Sequence, residues 1–349
     1  MKRAFITGVT GQDGSYLAEF LSDKGYEVYG FLRRVSTDPF MRIEDLYEAG
    51  KIKLIYGNLR DLPTLINALE VAQPDEIYNL AAQSHIGVSF ACPDETVDIN
   101  FRGLERLATE AFKRNPKVKI FQPSTSVMYG NADFPQSEQT VFAPVQFSPY
   151  GEAKLKAHNE VVVPFREKGF FICSGILFNH ESPRRGKHFV TKKVSHSLTK
   201  LKFGKQDVMT MGNLDVKRDW GFAGDYVEAM WLMLQQETPE DYVIATGKSY
   251  SVREFIEEVA KYLGLTLKWE GQGLDEVGKD ENGKVIIKID EKFYRPNEID
   301  NLLGDNTKAR TKLGWLPKTD FKALVKMMVD SDIKQVVGVN ENNYDQNVG

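Results

Sequence analysis

Cysteine is nearly absent from this sequence. Cys92 and Cys173 are too few for a disulfide scaffold or a thiolate metal cage, and both are expected in the core as small apolar groups. No His, Cys or carboxylate cluster has metal-ligand spacing, so no metal is expected. No apolar run approaches the roughly 20 residues needed to span a bilayer. The stretch after Met1-Lys2-Arg3 is also too short and too weakly apolar for a secretory leader, so a cytoplasmic protein is expected. Charge of one sign is missing too: 45 Lys+Arg stand against 49 Asp+Glu, a net charge of -4. That argues against a surface built for nucleic acid. Internal repeats and low-complexity tracts are absent as well. With 349 residues, 42% of them hydrophobic, the chain has about two domains' worth of foldable material.

What is present is an alternation of strands and helices. Ala4-Phe5-Ile6 reads as a buried strand, and apolar residues at helical spacing follow Gly14. Glu27 to Leu32 is a second strand, which completes a strand-helix-strand unit. The rhythm continues with strands at Ile52–Tyr56, Glu76–Leu80, Lys119–Gln122 and Phe170–Leu177. Helices are expected at Leu62–Ala72, Asn100–Arg114 and Pro149–Glu167. The pattern predicts an α/β fold with a Rossmann-type doubly wound parallel sheet. Residues 179–219 are polar and basic with few strand-like runs, and a helix near Asp225–Gln235 rejoins the sheet. Ser251 with Glu254 marks the start of an amphipathic helix to Tyr262, and 264–290 reads as a charged, Gly-rich loop between two short strand-like runs.

Gly8, Gly11 and Gly14 lie in the turn between the first strand and the first helix. Glycines there let the backbone approach a pyrophosphate, and the helix that begins near Gln12 and Asp13 aims its N-terminus at that anion. The end of the second strand carries Arg33-Arg34 where an acidic residue would bind the ribose of NAD. A guanidinium suits a 2′-phosphate, which favours NADP. Asn58, after the third strand, is placed to meet the adenine.

Tyr150 and Lys154 are four residues apart on one helix, so they share a face. An ammonium beside a phenol lowers its pKa from near 10 and suits it to take a proton from a sugar hydroxyl as hydride leaves. Thr125, in Ser124-Thr125-Ser126 after a strand, is placed to hydrogen-bond the reacting oxygen.

These motifs resemble the extended short-chain dehydrogenase/reductases of the GDP-mannose 4,6-dehydratase group. The resemblance runs from about residue 3 to about 335. It includes Ile6 to Leu17, Ala82-Gln83-Ser84-His85, Leu177 to Gly186, Lys217-Arg218-Asp219-Trp220 and Tyr294-Arg295-Pro296. It implies a GDP-sugar substrate, a tightly bound NAD(P)(H), and a homodimer or homotetramer. It places Leu59, Leu80, Ala82, Ser84, His180 and Arg185 on the dinucleotide. It places Ser84, Thr125, Asn179, Val190, Lys193, Arg218, Arg295 and Glu298 on the nucleotide sugar. The ten Lys+Arg against two Asp in residues 184–218 agree with a diphosphate ligand. His85, His158 and His188 are expected in structural or surface roles. Residues 1–178 plus about 220–247 are expected to form the dinucleotide domain. About 179–219 plus 248–338 form a smaller, interleaved α/β domain for the GDP-sugar, and 339–349 a polar tail.

The chain departs from the family at one position with chemical weight. The group reads Ser-Thr-Ser-Glu where this chain has Ser124-Thr125-Ser126-Val127. The glutamate takes the C5 proton and helps water leave from C6, and valine can transfer no proton. The favoured expectation is therefore oxidation at C4 of GDP-mannose or GDP-manno-heptose that stops at the 4-keto sugar. The reduced cofactor must then exchange or be reoxidised by a second keto substrate. Alternatives are a working 4,6-dehydratase in which Glu181 or Glu138 replaces the lost base, a C4 epimerase, and a binding protein without turnover. Val35 replaces the Ser that usually follows the arginine pair, and Asn58 replaces an Asp, so NAD stays open beside NADP.

Overall fold

The computed structural model describes residues 1–143, 148–293 and 299–338. The chain divides into two units. The first holds 1–180, 217–249 and 296–318; the second holds 181–216, 250–295 and 319–349.

The first unit is built on a seven-stranded parallel sheet. Its strands are β1 (Arg3–Thr7), β2 (Glu27–Leu32), β3 (Ile52–Tyr56), β4 (Glu76–Asn79), β5 (Lys119–Thr125) and β6 (Ile172–Leu177), with Tyr242–Ile244 at one edge. The order across the sheet is Tyr242–Ile244, β6, β5, β4, β1, β2, β3. The chain therefore runs outward from β1 to β3, returns to β4 on the other side of β1, and runs outward again. The reversal between β1 and β4 leaves a crevice at the carboxyl ends of these strands, the usual ligand position in such sheets. The fold expectation is met: this is a doubly wound α/β sheet of the Rossmann type.

Strand periodicity explains the two-sided burial. Phe5, Ile77, Ile120 and Ile172 join one apolar layer with Leu65, Leu104 and Leu107. Their neighbours Ala4, Ile6, Tyr78, Phe121 and Cys173 join the opposite layer with Leu17, Leu21, Val227 and Met230. Residues adjacent in a strand point to opposite faces, so a sheet covered on both sides reads as continuous apolar runs. Cys173 is buried as expected, but Cys92 is only half-buried, because it ends one short helix and precedes the next.

Two expected helices are segmented. The helix predicted from Asn100 begins with a π-helical turn at Asp98–Arg102 before Gly103–Arg114. The helix from Pro149 is α-helical to Ala157, passes through a π turn at His158–Val162, and resumes at Val163–Glu167.

Segment 296–318 was expected in the second domain but groups with the first unit. Trp315 is almost wholly buried; its Nε1 donates to the Asp225 carbonyl at 2.8 Å, and the Lys318 amide donates to Asp225 Oδ2 at 3.0 Å. Sequence order alone does not reveal that return.

The second unit has helices Val190–Lys202, Val252–Tyr262 and Phe321–Val337. Its four-stranded sheet has Lys268–Glu270, Val277–Lys279, Val285–Ile289 and Met209–Met211 in that order. The stretch 264–290, read as a loop between two short strand-like runs, thus supplies three strands. Ser251 and Glu254 form the expected capping box: the Ser251 amide donates to Glu254 Oε2 at 2.6 Å, and the Glu254 amide to Ser251 Oγ at 3.1 Å. A buried cation in this unit corrects part of the basic-stretch reading. Lys192 pairs with fully buried Asp332 at 2.8 Å, so it serves the core and not an anion. Among the described residues no helix is long and apolar enough to cross a membrane, and no group of His, Cys, Asp and Glu could hold a metal ion. The polar tail, Arg295 and Glu298 lie outside the described residues.

Candidate active site

The glycine turn opens the crevice side of the sheet. Gly8 follows β1 with φ +69°, and a Cβ there would stand 2.8 Å from the Ala81 backbone. Gly14 lies in the first turn of α1 (Gln12–Asp23), where a Cβ would stand 2.3 Å from the Gly8 carbonyl. Both positions therefore demand glycine. Gly11 is the N-cap of α1 and donates no side-chain cap. The helix start is thus bare of side chain at its cap, which fits a pyrophosphate on the backbone. Asp13, in the first turn, meets His180: Nε2 lies 2.8 Å from Asp13 Oδ2, while Nδ1 lies 2.8 Å from the Phe178 carbonyl. Gln12 Nε2 donates to Asp13 Oδ1 and to the His180 carbonyl. The His180 ring stacks on Tyr226 with centroids 4.6 Å apart.

Arg33 and Arg34 are exposed beyond β2. Arg34 borders a cleft with Val35, Thr37, Phe40 and Tyr56. Asn58 Oδ1 is already engaged, accepting the Arg60 amide at 3.0 Å. Leu59 has its side chain buried in the apolar layer beside Leu65 and Leu104, and its carbonyl accepts from Arg106 Nη1 at 3.4 Å. Leu80 is half-buried and packs on the opposite layer.

Ala82 and Ser84 are exposed on the loop after β4. Gln83 holds that loop: its amide and carbonyl pair with Asn100 Oδ1 and Nδ2, both at 2.9 Å, and its Nε2 donates to Thr96 Oγ1 at 3.0 Å. Asn100 sits in the π turn, which lets a buried amide reach the loop backbone.

Thr125 ends β5 and is nearly buried; its Oγ1 accepts the Val127 amide at 3.3 Å. Ser148 caps the helix of Tyr150 and Lys154, accepting the Gly151 amide at 3.1 Å. Lys154 is buried at 4% exposure, with Nζ donating to the Pro123 carbonyl at 2.8 Å and lying 6.0 Å from the Tyr150 ring centre. The helix face that presents Tyr150 is thereby tied to the strand that presents Thr125. Burial pulls the Lys154 ammonium down to about 8, opposed by the charge of Asp13. Val127 packs against a cluster with Tyr129, Ile176 and Phe178 and presents no acid or base. Glu138, one candidate substitute, accepts the Val243 amide at 2.7 Å.

Asn179 is half-buried just beyond β6. Arg218 Nη1 donates to the Ile299 carbonyl at 2.8 Å. Asp219 escaped notice in the sequence although it lies in a quoted motif. It is fully buried and accepts the Thr246 amide, Thr246 Oγ1 and the Gly247 amide at 2.6–2.9 Å. Burial pushes its carboxyl up to about 6 against those donations. It fixes the strand that carries Arg218, and only tertiary contact reveals that.

The second unit places Val190 at the start of its first helix and Lys193 one turn in, with Nζ 3.6 Å from the Phe293 ring centre. Burial and the nearby Lys292 lower the Lys193 ammonium. Arg185 lies 3.5 Å above the Phe189 ring and meets Glu181 Oε2 at 2.9 Å. Glu181, the other candidate substitute base, is buried and also accepts from Thr191 Oγ1 at 2.5 Å. His158 is buried and His188 exposed.

Residues 5–328 match the family model for GDP-mannose 4,6 dehydratase. The human GDP-mannose 4,6 dehydratase is 51% identical over 342 residues, covering 95% of this chain and 91% of that protein. Solved structures that share the fold include the following two. The UDP-glucose 4-epimerase of Thermotoga maritima, with UDP-glucose, has a TM-score of 0.79 at 23% identity, covering 95% of this chain and 99% of its own. RMD from Pseudomonas aeruginosa, complexed with NADPH, has a TM-score of 0.75 at 21% identity, covering 96% and 100%.

Proposed function

The chain belongs to the GDP-mannose 4,6-dehydratase family, and from that premise we propose that it is an NAD(P)-dependent oxidoreductase that oxidises C4 of a GDP-manno-type sugar. The observation that carries the proposal is the anchoring of Lys154, one turn after Tyr150, to the strand that ends in Thr125, in the unit whose glycine turn suits a dinucleotide. Bound NAD(P) supplies the hydride chemistry. Thr125 donates to or accepts from the C4 oxygen, and Tyr150 takes the C4 hydroxyl proton. The Lys154 ammonium favours the phenolate by charge. Gly8, Gly11, Gln12, Asp13 and Gly14 are proposed to hold the pyrophosphate. Arg33 and Arg34 favour a 2′-phosphate, with NAD still open. Asn179 and Arg218 stand as proposed GDP-sugar ligands.

Two net reactions follow from a C4 ketone. The names of the relatives favour 4,6-dehydration, in which the C5 proton and the C6 hydroxyl leave together as water and the hydride taken from C4 returns to C6. A second reading, a 4-dehydrogenase that stops at the keto sugar, is favoured by Val127 and by the engagement of Glu138 and Glu181 elsewhere. Loss of a positioned acid/base slows a proton-transfer step by about 10²–10⁴-fold, so the two readings differ in rate before they differ in kind. Under the second reading, the reduced cofactor exchanges with free NAD(P) or is reoxidised by a second keto substrate. Incubation with GDP-mannose or GDP-manno-heptose and NAD or NADP, followed by mass spectrometry, separates them. Loss of water marks dehydration, and loss of two hydrogens marks oxidation alone. An unchanged mass with a new NMR sugar signature marks epimerisation. An unchanged sugar under every combination would overturn both readings.

A further inference from the structure

Three buried polar side chains run from the carboxyl ends of β1 and β4 to the middle of β5. Thr7, Asn79 and Gln122 are each no more than 3% exposed. The Ala81 amide donates to Thr7 Oγ1 at 3.0 Å, and Thr7 Oγ1 donates to Asn79 Oδ1 at 2.8 Å. Asn79 Nδ2 donates to Gln122 Oε1 at 2.7 Å, and Gln122 Nε2 donates to the Pro123 carbonyl at 3.1 Å. That carbonyl also receives Lys154 Nζ. All four donors of the chain point the same way, from the segment after β4 toward Lys154.

The position of the chain in the sheet is informative. Thr7 and Asn79 are the last paired residues of β1 and β4. The pairing of β4 with β5 ends one step earlier, at Tyr78 and Phe121. Asn79 and Gln122, next in register, meet through their side chains instead. The neighbouring side chains Ile77, Tyr78, Ile120 and Phe121 are fully buried. An apolar pair of similar shape would serve the fold there about as well, because a buried amide pair gains little net stability. The amides therefore have a use beyond packing. Gln122 holds the Pro123 carbonyl from a second direction, so the peptide cannot turn away from the ammonium. In a dry setting aligned hydrogen bonds reinforce one another.

We propose that Asn79 and Gln122 are positioning residues: with Thr7 they form a polar strut that fixes the Pro123 carbonyl, and through it the Lys154 ammonium, relative to the glycine turn that begins at Gly8. The proposal rests on the reading of Tyr150 and Lys154 as the proton-transfer pair.

The test uses the full chain with Asn79→Leu, Gln122→Met and the double variant, all near-isosteric. Each single change leaves one buried amide short of a partner, so each lowers the melting temperature; the double change removes both amides, leaves only the Thr7 hydroxyl short of its acceptor, and so recovers part of the loss. Two further readouts separate positioning from packing. One is the 13C NMR titration of Lys154 without cofactor, assigned with Lys154→Arg. The other is kcat for C4 oxidation of GDP-mannose. In the double variant the Lys154 midpoint should fall by about half a unit or more as its acceptor loosens. The value of kcat should fall by about 10- to 100-fold, with KM nearly unchanged, as expected for a small displacement of a reacting group. A stable double variant with the wild-type Lys154 titration and wild-type kcat would overturn the strut. A shifted Lys154 midpoint in a protein whose wild type turns over no GDP-sugar would uphold the strut and overturn the function. Should the double variant not fold, Gln122→Met carries the same two readouts.

Discussion

The clearest consequence of the site is a descending limb in the pH profile of C4 oxidation. Lys154 is 4% exposed, and burial pulls its ammonium from an ordinary 10.5 down to about 8, with Asp13 opposing the shift. If only the ammonium form supports the Tyr150 phenolate, half of the active form remains at pH 8 and about one tenth at pH 9. The rate of cofactor reduction in a single turnover, followed by absorbance, should therefore fall about tenfold between pH 7 and pH 9. Lys154→Arg supplies a test of cause. A guanidinium stays charged throughout this range, so the limb should vanish, while the bulkier group lowers the plateau. The same shift has a stability sign. The folded pKa lies below the unfolded one, so between about pH 8 and 10.5 the unfolded chain binds a proton that the folded chain does not. Folding stability from this group then rises with pH across that window. Activity and stability should thus move in opposite directions above pH 8. A rate still rising at pH 9, or a limb unchanged in Lys154→Arg, would refute the assignment.

Three other expectations are open to measurement. Val127→Glu should raise the dehydration rate by about 10²–10⁴-fold over wild type, read by mass spectrometry; no gain would remove the assigned role of that position. Gly14→Ala places a Cβ 2.3 Å from the Gly8 carbonyl, so the turn must shift. It should destabilise the chain by roughly 1–3 kcal/mol and weaken dinucleotide binding, seen by melting and by titration calorimetry. Asp332→Ala leaves the Lys192 ammonium buried without its carboxylate, and roughly 3–5 kcal/mol of stability should be lost in urea denaturation. In the wild type, burial pushes the Asp332 carboxyl up, but His196, Lys192 and Ser195 more than offset this and hold it below its ordinary value. A loss near zero would mean that Lys192 finds water or another acceptor.

Much of this protein is legible in the order of its residues. Apolar runs of four to six residues separated by helical spacing specify a parallel sheet, since each strand is covered on both faces. The glycine turn is legible because its steric demand is local: Gly8 and Gly14 meet backbone within about ten residues or at the neighbouring strand end. Tyr150 and Lys154 are legible because a helix brings fourth neighbours together without outside help. Other features depend on partners that are distant in sequence and could not be read there. Leu59 turned inward, Lys192 found Asp332 across 140 positions, and 296–318 returned to the first unit through Asp225 and Trp315. The polar strut joins Thr7, Asn79 and Gln122, each unremarkable alone, because the sheet order sets the ends of β1 and β4 beside the middle of β5. Local sterics and periodicity follow from neighbours in the chain. The placement of buried charge and amide follows from which strands and helices meet, and that was decided by the tertiary structure alone.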